Sequence, residues 1–286
     1  MLNFHQRFMR STVMNLVAAS LRDAKAGGSR ELLKGIDTAL YFAGDGVQKQ
    51  VMQTVSRMVQ TPSHPYYALI RRAVSDVEPQ ILQTVLANLG YVAFHAGADQ
   101  IHETAAKGGG IAPEWIETID LSKSAEGFAE RVRQNERQGV YCYEVRCAQQ
   151  QEALLFKVAA QYEECTFFAE FHQVSQLLAE RLSTVPNLIA TVDARETESF
   201  ARLARQRLLY GFRAEQITDG LLRACTEQGC FLGFYQGSTA VETYSCFSPG
   251  GCGQPVLLCD PQRDRQRIQE LIIKGYIDEE DHLSTV

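Results

Sequence analysis

A chain of 286 residues is long enough for one large α/β domain or two smaller ones. Its 45% hydrophobic and 22% charged content is that of an ordinary globular protein. A net charge of −6 argues against broad binding of nucleic acid, which needs dense Lys and Arg, and no apolar run nears the ~20 residues that span a bilayer.

Residues 1–95 read as an all-helical N-terminal region. Phe8, Val13, Leu16, Val17 and Leu21 fall at helical spacing. This first stretch is mildly basic and lacks both a continuous apolar core and a cleavage site, so no signal peptide is expected and the cytoplasm is the default compartment. Gly27-Gly28-Ser29 breaks the pattern, and Ser29 can cap a second helix through Leu32, Leu33, Ile36 and Leu40. A third is expected over 47–59, stopped by Thr61-Pro62, and a short fourth over 66–74. Pro79 suits the first turn of a fifth, carrying Ile81, Leu82, Val85, Leu86 and Leu89. His64 and His95 read as turn and surface residues, and the region reads as packing or docking surface.

Residues 96–113 are expected to form a linker around Gly108-Gly109-Gly110. No P-loop Lys-Ser/Thr follows these glycines, so an anion cradle is a weak alternative. A short strand is expected over 115–119 and a helix over 124–138, closed by Gly139. Three β-rich segments follow, around 140–147, 165–172 and 187–194, separated by amphipathic helical runs. Two further β-rich segments lie at 230–237 and 241–251, with a helix over 217–228 before the first. Such alternation predicts βα units and a parallel sheet. A last helix is expected over 261–274, then an acidic tail.

Alternate residues of a strand share a face. One face of these segments carries Cys142, Glu144 and Arg146, then Thr166, Phe168, Glu170 and His172, then Ile189, Thr191 and Asp193, with Arg195 just beyond. The other face is apolar. Glu144, Arg146, Glu170, His172, Asp193 and Arg195 are therefore the candidate pocket residues. They can form a self-neutralising polar mouth, or a pocket for a small polar ligand in which the arginines hold an anion and Glu170 and Asp193 hold an amine or ribose. Arg202, Arg205, Arg207 and Arg213 form a basic cluster diluted by Glu196, Glu198 and Glu215, and a solvated helix face is expected there.

In the default compartment the eight cysteines read as thiols or metal ligands rather than disulfides. Cys246, Cys252 and Cys259 have a C-x5-C-x6-C spacing that matches no strong zinc or iron–sulfur pattern, although nearby glycines would permit clustering.

In this order the segments resemble the radical S-adenosylmethionine (SAM) superfamily, in its group with a helical region before a partial (β/α)6 barrel. The likeness spans residues 65–275 and is distributed: HPYYALIRRAVSDVEPQ is similar to the helical lead-in, PEWIETIDL to the first strand, GVYCYEV, ECTFFAEFH and NLIATVDA to the next three, and ETYSCFSPGG to the sixth. The fold implied is a reduced parallel βα barrel over 114–260, with 261–286 as terminal helix and tail.

The departures concern the chemistry. The family's C-x3-C-x2-C motif, which holds the [4Fe–4S] cluster, follows its first strand; here Asp120-Leu121-Ser122-Lys123-Ser124 runs directly into a helix, and no cysteine precedes Cys142. The family's Gly-Gly-Glu-Pro is replaced by Arg146-Cys147-Ala148-Gln149-Gln150. Thr191-Val192-Asp193 keeps the type of the segment that meets the SAM ribose. The resemblance implies a cluster-free relative with no cofactor, SAM or a weakly bound metal being the alternative. Its expected role is non-catalytic binding of a protein or peptide, such as an active radical SAM enzyme, with a homo-oligomer also open. The alternatives are an enzyme using Glu170 or His172 as general acid or base, and a metal protein built on Cys246, Cys252 and Cys259.

Overall fold

The computed structural model describes residues 1–27, 65–107, 112–235, 257–259 and 261–274, together with Lys34, Lys49, Gln53, Ser56 and Gln60. Helices α1 (Phe4–Gly27), α2 (Pro65–Asp76) and α3 (Pro79–Ala87) form an N-terminal layer. Pro79 opens α3 in the first turn, where a backbone N–H would have no helical partner. Ile81, Leu82 and Val85 are buried, and Leu21 of α1 joins them in the core. Leu86 departs from the expected apolar set and is exposed. The expected helices over 32–40 and 47–59 lie outside the described residues, apart from Lys34, Lys49, Gln53 and Ser56, which are helical.

The expected linker is in its first part a packed helix. The chain runs from α3 through a π-helical stretch, Asn88–Gly97, into α4 (Ala98–Lys107). Ala98, Ile101 and Ala105 recur at helical spacing and are buried. Gly97 lets this run approach the turn before the second strand. A Cβ there would fall 2.5 Å from the Gly139 carbonyl oxygen, and Gly139 itself has a left-handed φ of 92°.

Seven parallel strands follow in sequence order: β1 (Ile116–Asp120), β2 (Cys142–Arg146), β3 (Thr166–Glu170), β4 (Leu188–Asp193), β5 (Tyr210–Ala214), β6 (Leu232–Tyr235) and β7 (Leu257–Cys259). Strand β5 was not among the expected strands. The expected 241–251 segment lies outside the described residues. The connecting helices are α5 (Phe128–Glu136), α6 (Glu152–Gln161), α7 (Gln176–Leu182), α8 (Thr197–Arg205) and α9 (Asp219–Glu227). Ser175 and Thr218 cap α7 and α9 by accepting from Leu178 N and Leu221 N. β1 and β7 do not pair with each other, so the sheet is open.

Because strand order advances in one direction, right-handed crossovers bring the helices to one face. That face carries Tyr143, Val145, Phe167, Ala169, Ala190, Val192, Tyr210 and Phe212, all buried. Phe128 of α5 meets Phe167 edge-on at 6.4 Å, and Phe200 of α8 stacks on Tyr210 at 6.1 Å. The N-terminal layer belongs to the same core, which runs without interruption from Leu21, Val85 and Tyr91 to Phe167 and Phe212. Asn88 ties the layers together: its amide donates to the carbonyls of Glu163 and Cys165 at 2.8 and 3.0 Å.

Helix α10 (Pro261–Lys274), expected over those residues, packs against α4 beside β1. Gln269 accepts from Trp115 N and donates to the Pro113 carbonyl, at 2.8 Å each. Arg265 donates to the Ile116 carbonyl at 2.6 Å and pairs with Glu114. The first edge of the sheet is thus covered by side chains of a helix. Among the described residues, no helix is long and apolar enough to cross a membrane.

Candidate functional site

The face opposite the helices turns polar toward the C-terminal ends of the strands, where parallel α/β sheets place their sites. Arg213, next to last in β5, occupies its centre and is 3% exposed. Its Nε donates to Thr191 Oγ1 on β4 at 2.7 Å, and its Nη1 donates to Glu144 Oε1 on β2 at 2.6 Å. Glu170 Oε2, at the end of β3, stands 3.7 Å from Arg213 Nε and 3.7 Å from Arg146 Nε. Thr118 of β1 donates to Glu144 Oε2 at 3.4 Å and accepts from Arg265 at 2.9 Å. On β6, Phe234 lies beneath the Arg213 guanidinium, 5.0 Å from its centre, and Phe168 of β3 meets Phe234 at 5.7 Å.

The Glu144–Arg213 bond fixes the shape of this face. The pairing register sets Glu144 level with Phe168 and Ile189, and Arg213 level with Asp193, four residues further along. In a flat sheet the two backbones would be separated by three strand spacings and four residue rises, roughly 19 Å on the diagonal. Extended Arg and Glu side chains together span only about 12 Å. A 2.6 Å contact therefore requires the sheet to curl, with the charged cluster on its concave side.

Of the candidate residues, the structure brings Glu144, Arg146 and Glu170 together and leaves the others outside. Asp193 and Arg195 are exposed and pair locally at 3.9 Å, and Asp193 Oδ1 also accepts from Arg195 N. His172 is exposed and, among the described residues, has no hydrogen bond or ion pair. The central cation is one that the sequence placed on a solvated helix face. Arg202 and Arg205 do lie on α8, but Arg213 is a buried strand residue. One signal could have found it: Leu208 to Ala214 has apolar residues at alternate positions, Leu208, Tyr210 and Phe212.

At the end of β1, Asp120 caps a single helical turn, Leu121–Ser124, its Oδ1 accepting from Ser122 N at 3.0 Å. The hydrogen bond with Ser122 lowers the Asp120 carboxyl below its ordinary range. Strand and helical turn are therefore contiguous, with no intervening loop.

Cys142, Cys147, Cys165, Cys225 and Cys230 are buried and free. Burial pushes Cys142 up to about 12, and burial followed by the Glu152 charge pushes Cys147 up to about 12. Cys246 and Cys252 lie outside the described residues. Cys259 ends β7 opposite Phe234. Among the described residues, no group of three His, Cys, Asp or Glu is placed to hold a metal ion.

No protein-family model matches the chain, and no curated protein matches it. Among solved structures, it is similar to a chain of a cube-shaped, highly porous protein cage designed by fusing symmetric oligomeric domains. The identity is 12% and the TM-score 0.35, over 56% of this chain and 70% of that one. A likeness at that score carries no inference about fold or function.

Proposed function

We propose that the chain is a cluster-free, radical-SAM-like partial barrel whose concave face binds a ligand or protein partner without radical chemistry. The observation that carries this reading is the contiguity of β1 and the Leu121–Ser124 turn. A C-x3-C-x2-C loop would have to begin where Asp120 caps that turn, and the first cysteine of the chain is Cys142, inside β2. Three thiolates are needed to anchor a cluster with one open iron. The consecutive parallel order of β1 to β6 and the curled face support the partial-barrel part of the reading.

Acid–base catalysis by Glu170 and His172 is the weaker reading. Glu170 is engaged by two arginines, while His172 lies outside the charged cluster.

Anaerobic purification with iron and sulfide analysis, followed by an assay for reductive SAM cleavage, tests the proposal. The expected outcome is iron well below one equivalent and no 5′-deoxyadenosine. Stoichiometric iron and sulfide, with SAM cleavage, would overturn it.

A further inference from the structure

Helix α1 has two unlike faces. Leu21 lies in the core, and Met9, Val13 and Val17 pack against it. On the opposite side Phe4, Phe8, Ser11, Asn15, Ala18 and Arg22 follow one another at steps of four and three residues, the spacing of a contact seam between two helices. All are exposed except Ala18, which is half-buried; Phe4 is 88% and Phe8 62% exposed. Two neighbouring rings this bare form a patch, where a single exposed apolar residue would need no explanation.

The seam is graded. It is aromatic at one end, small and polar at its centre, and cationic at the other end, where exposed Lys25 follows Arg22. Neither cation has a hydrogen bond or ion pair among the described residues. A lipid surface fits poorly, because Ser11 and Asn15 interrupt the apolar strip and the chain carries a net charge of −6. A second copy fits well. Laid antiparallel on itself, the seam sets Phe4 against the partner's Arg22, Phe8 against the partner's Ala18, and Ser11 against the partner's Asn15. A cation over an exposed ring contributes about 0.5–1 kcal/mol, and this pair occurs twice by symmetry. A polar pair at the centre fixes the register. Parallel packing would instead stack the cationic ends on each other. The antiparallel arrangement holds them roughly 27 Å apart, well beyond the ~8 Å screening length.

We infer that α1 is the contact face of a symmetric homodimer, two copies packing antiparallel through this seam. This goes beyond the binding reading above and does not rest on it. Contact along about 30 Å of helix buries on the order of 1,000 Å² over both copies, near the lower limit of a specific interface, so the dimer is a weak one.

Sedimentation equilibrium of the full chain tests this, with an expected Kd on the order of tens of micromolar. The Phe4→Ser/Phe8→Ser variant is expected to dimerise at least tenfold more weakly, and Arg22→Ala several-fold more weakly. Circular dichroism checks that both variants keep the fold. Register is read by mixing Ser11→Cys and Asn15→Cys chains under diamide oxidation and mapping the cross-linked peptides. The two chains should link to each other in preference to themselves. A monomer at all concentrations up to about 100 μM, ten times the tightest of the expected range, would overturn the assignment. So would a dimer indifferent to the phenylalanines, preferential self-linking of the Ser11→Cys chain, or a monomer whose phenylalanines are needed instead for binding phosphatidylserine vesicles.

Discussion

Arg213 carries a charge that belongs on a surface by composition, and it is held where almost no water reaches it. Its interior position is sustained by Glu144, whose side chain is 12% exposed, and by the Thr191 hydroxyl. Removing one member of such a pair leaves the other buried and uncompensated. Arg213→Met is expected to lower unfolding free energy by about 3 kcal/mol, read by chemical denaturation. The double variant Glu144→Gln/Arg213→Met should recover part of that loss, with a coupling energy of about 1–3 kcal/mol. Simple additivity would show that the two side chains do not act as a pair. The residue was masked in the sequence because Arg202 and Arg205 before it belong to a helix, and charge patterning could not separate it from them. The thiols make the opposite case: several fall within β-rich stretches of the sequence, where a free Cys behaves as a small buried hydrophobe. With Cys142 and Cys147 pushed up to about 12, the thiolate fraction at pH 8 is on the order of one in ten thousand. Peptide mapping after iodoacetamide treatment of native protein at pH 8 should find both unmodified. Both should react once the chain is unfolded.

Elements were legible where a period could be read without interference. α3 and α10 follow their 3.6-residue apolar pattern, and polar and apolar residues alternate toward the C-terminal ends of β2 to β4. β5 was obscured because Gly211 and Arg213, both on its concave side, interrupt the apolar pattern of a buried strand. α4 was obscured by the glycines that follow it, which drew the expected linker back over a helix. The Gly97–Gly139 approach joins two elements at a point where no side chain fits. Gly139→Ala adds a Cβ 2.5 Å from the Gly97 carbonyl oxygen in a left-handed conformation. It is expected to cost at least about 2 kcal/mol, read as a lowered midpoint of urea unfolding. The seam between α10 and β1 is reported by Trp115, the only tryptophan of the chain. Gln269→Ala removes both of its bonds to the backbone at residues 113 and 115. A red-shifted Trp115 emission and faster amide exchange at Trp115 are the expected results.

At the scale of the whole molecule, the expected helical region and the sheet share one core. Tyr91 and Ala93 lie in the same buried cluster as Tyr141 and Cys165, and Asn88 bonds across the junction. A helical pattern says which residues of a helix are apolar but not which neighbour they will cover, so a separate helical unit and a shared core look alike in sequence. The shared core predicts one cooperative transition. Far-UV circular dichroism and Trp115 fluorescence should give coincident thermal curves; two resolved midpoints would show that the layers unfold independently.

The bond from β2 to β5 acts as a chord drawn across an arc, passing over the two strands between its ends. A chord of fixed length under a fixed number of strands sets the radius. The breadth of the basin is therefore governed by how far one glutamate and one arginine can stretch. Glu144→Asp removes one methylene from that span, roughly 1.5 Å. The basin must then tighten or lose its tie, and either change would alter the size of molecule it admits while leaving the rest of the lining untouched.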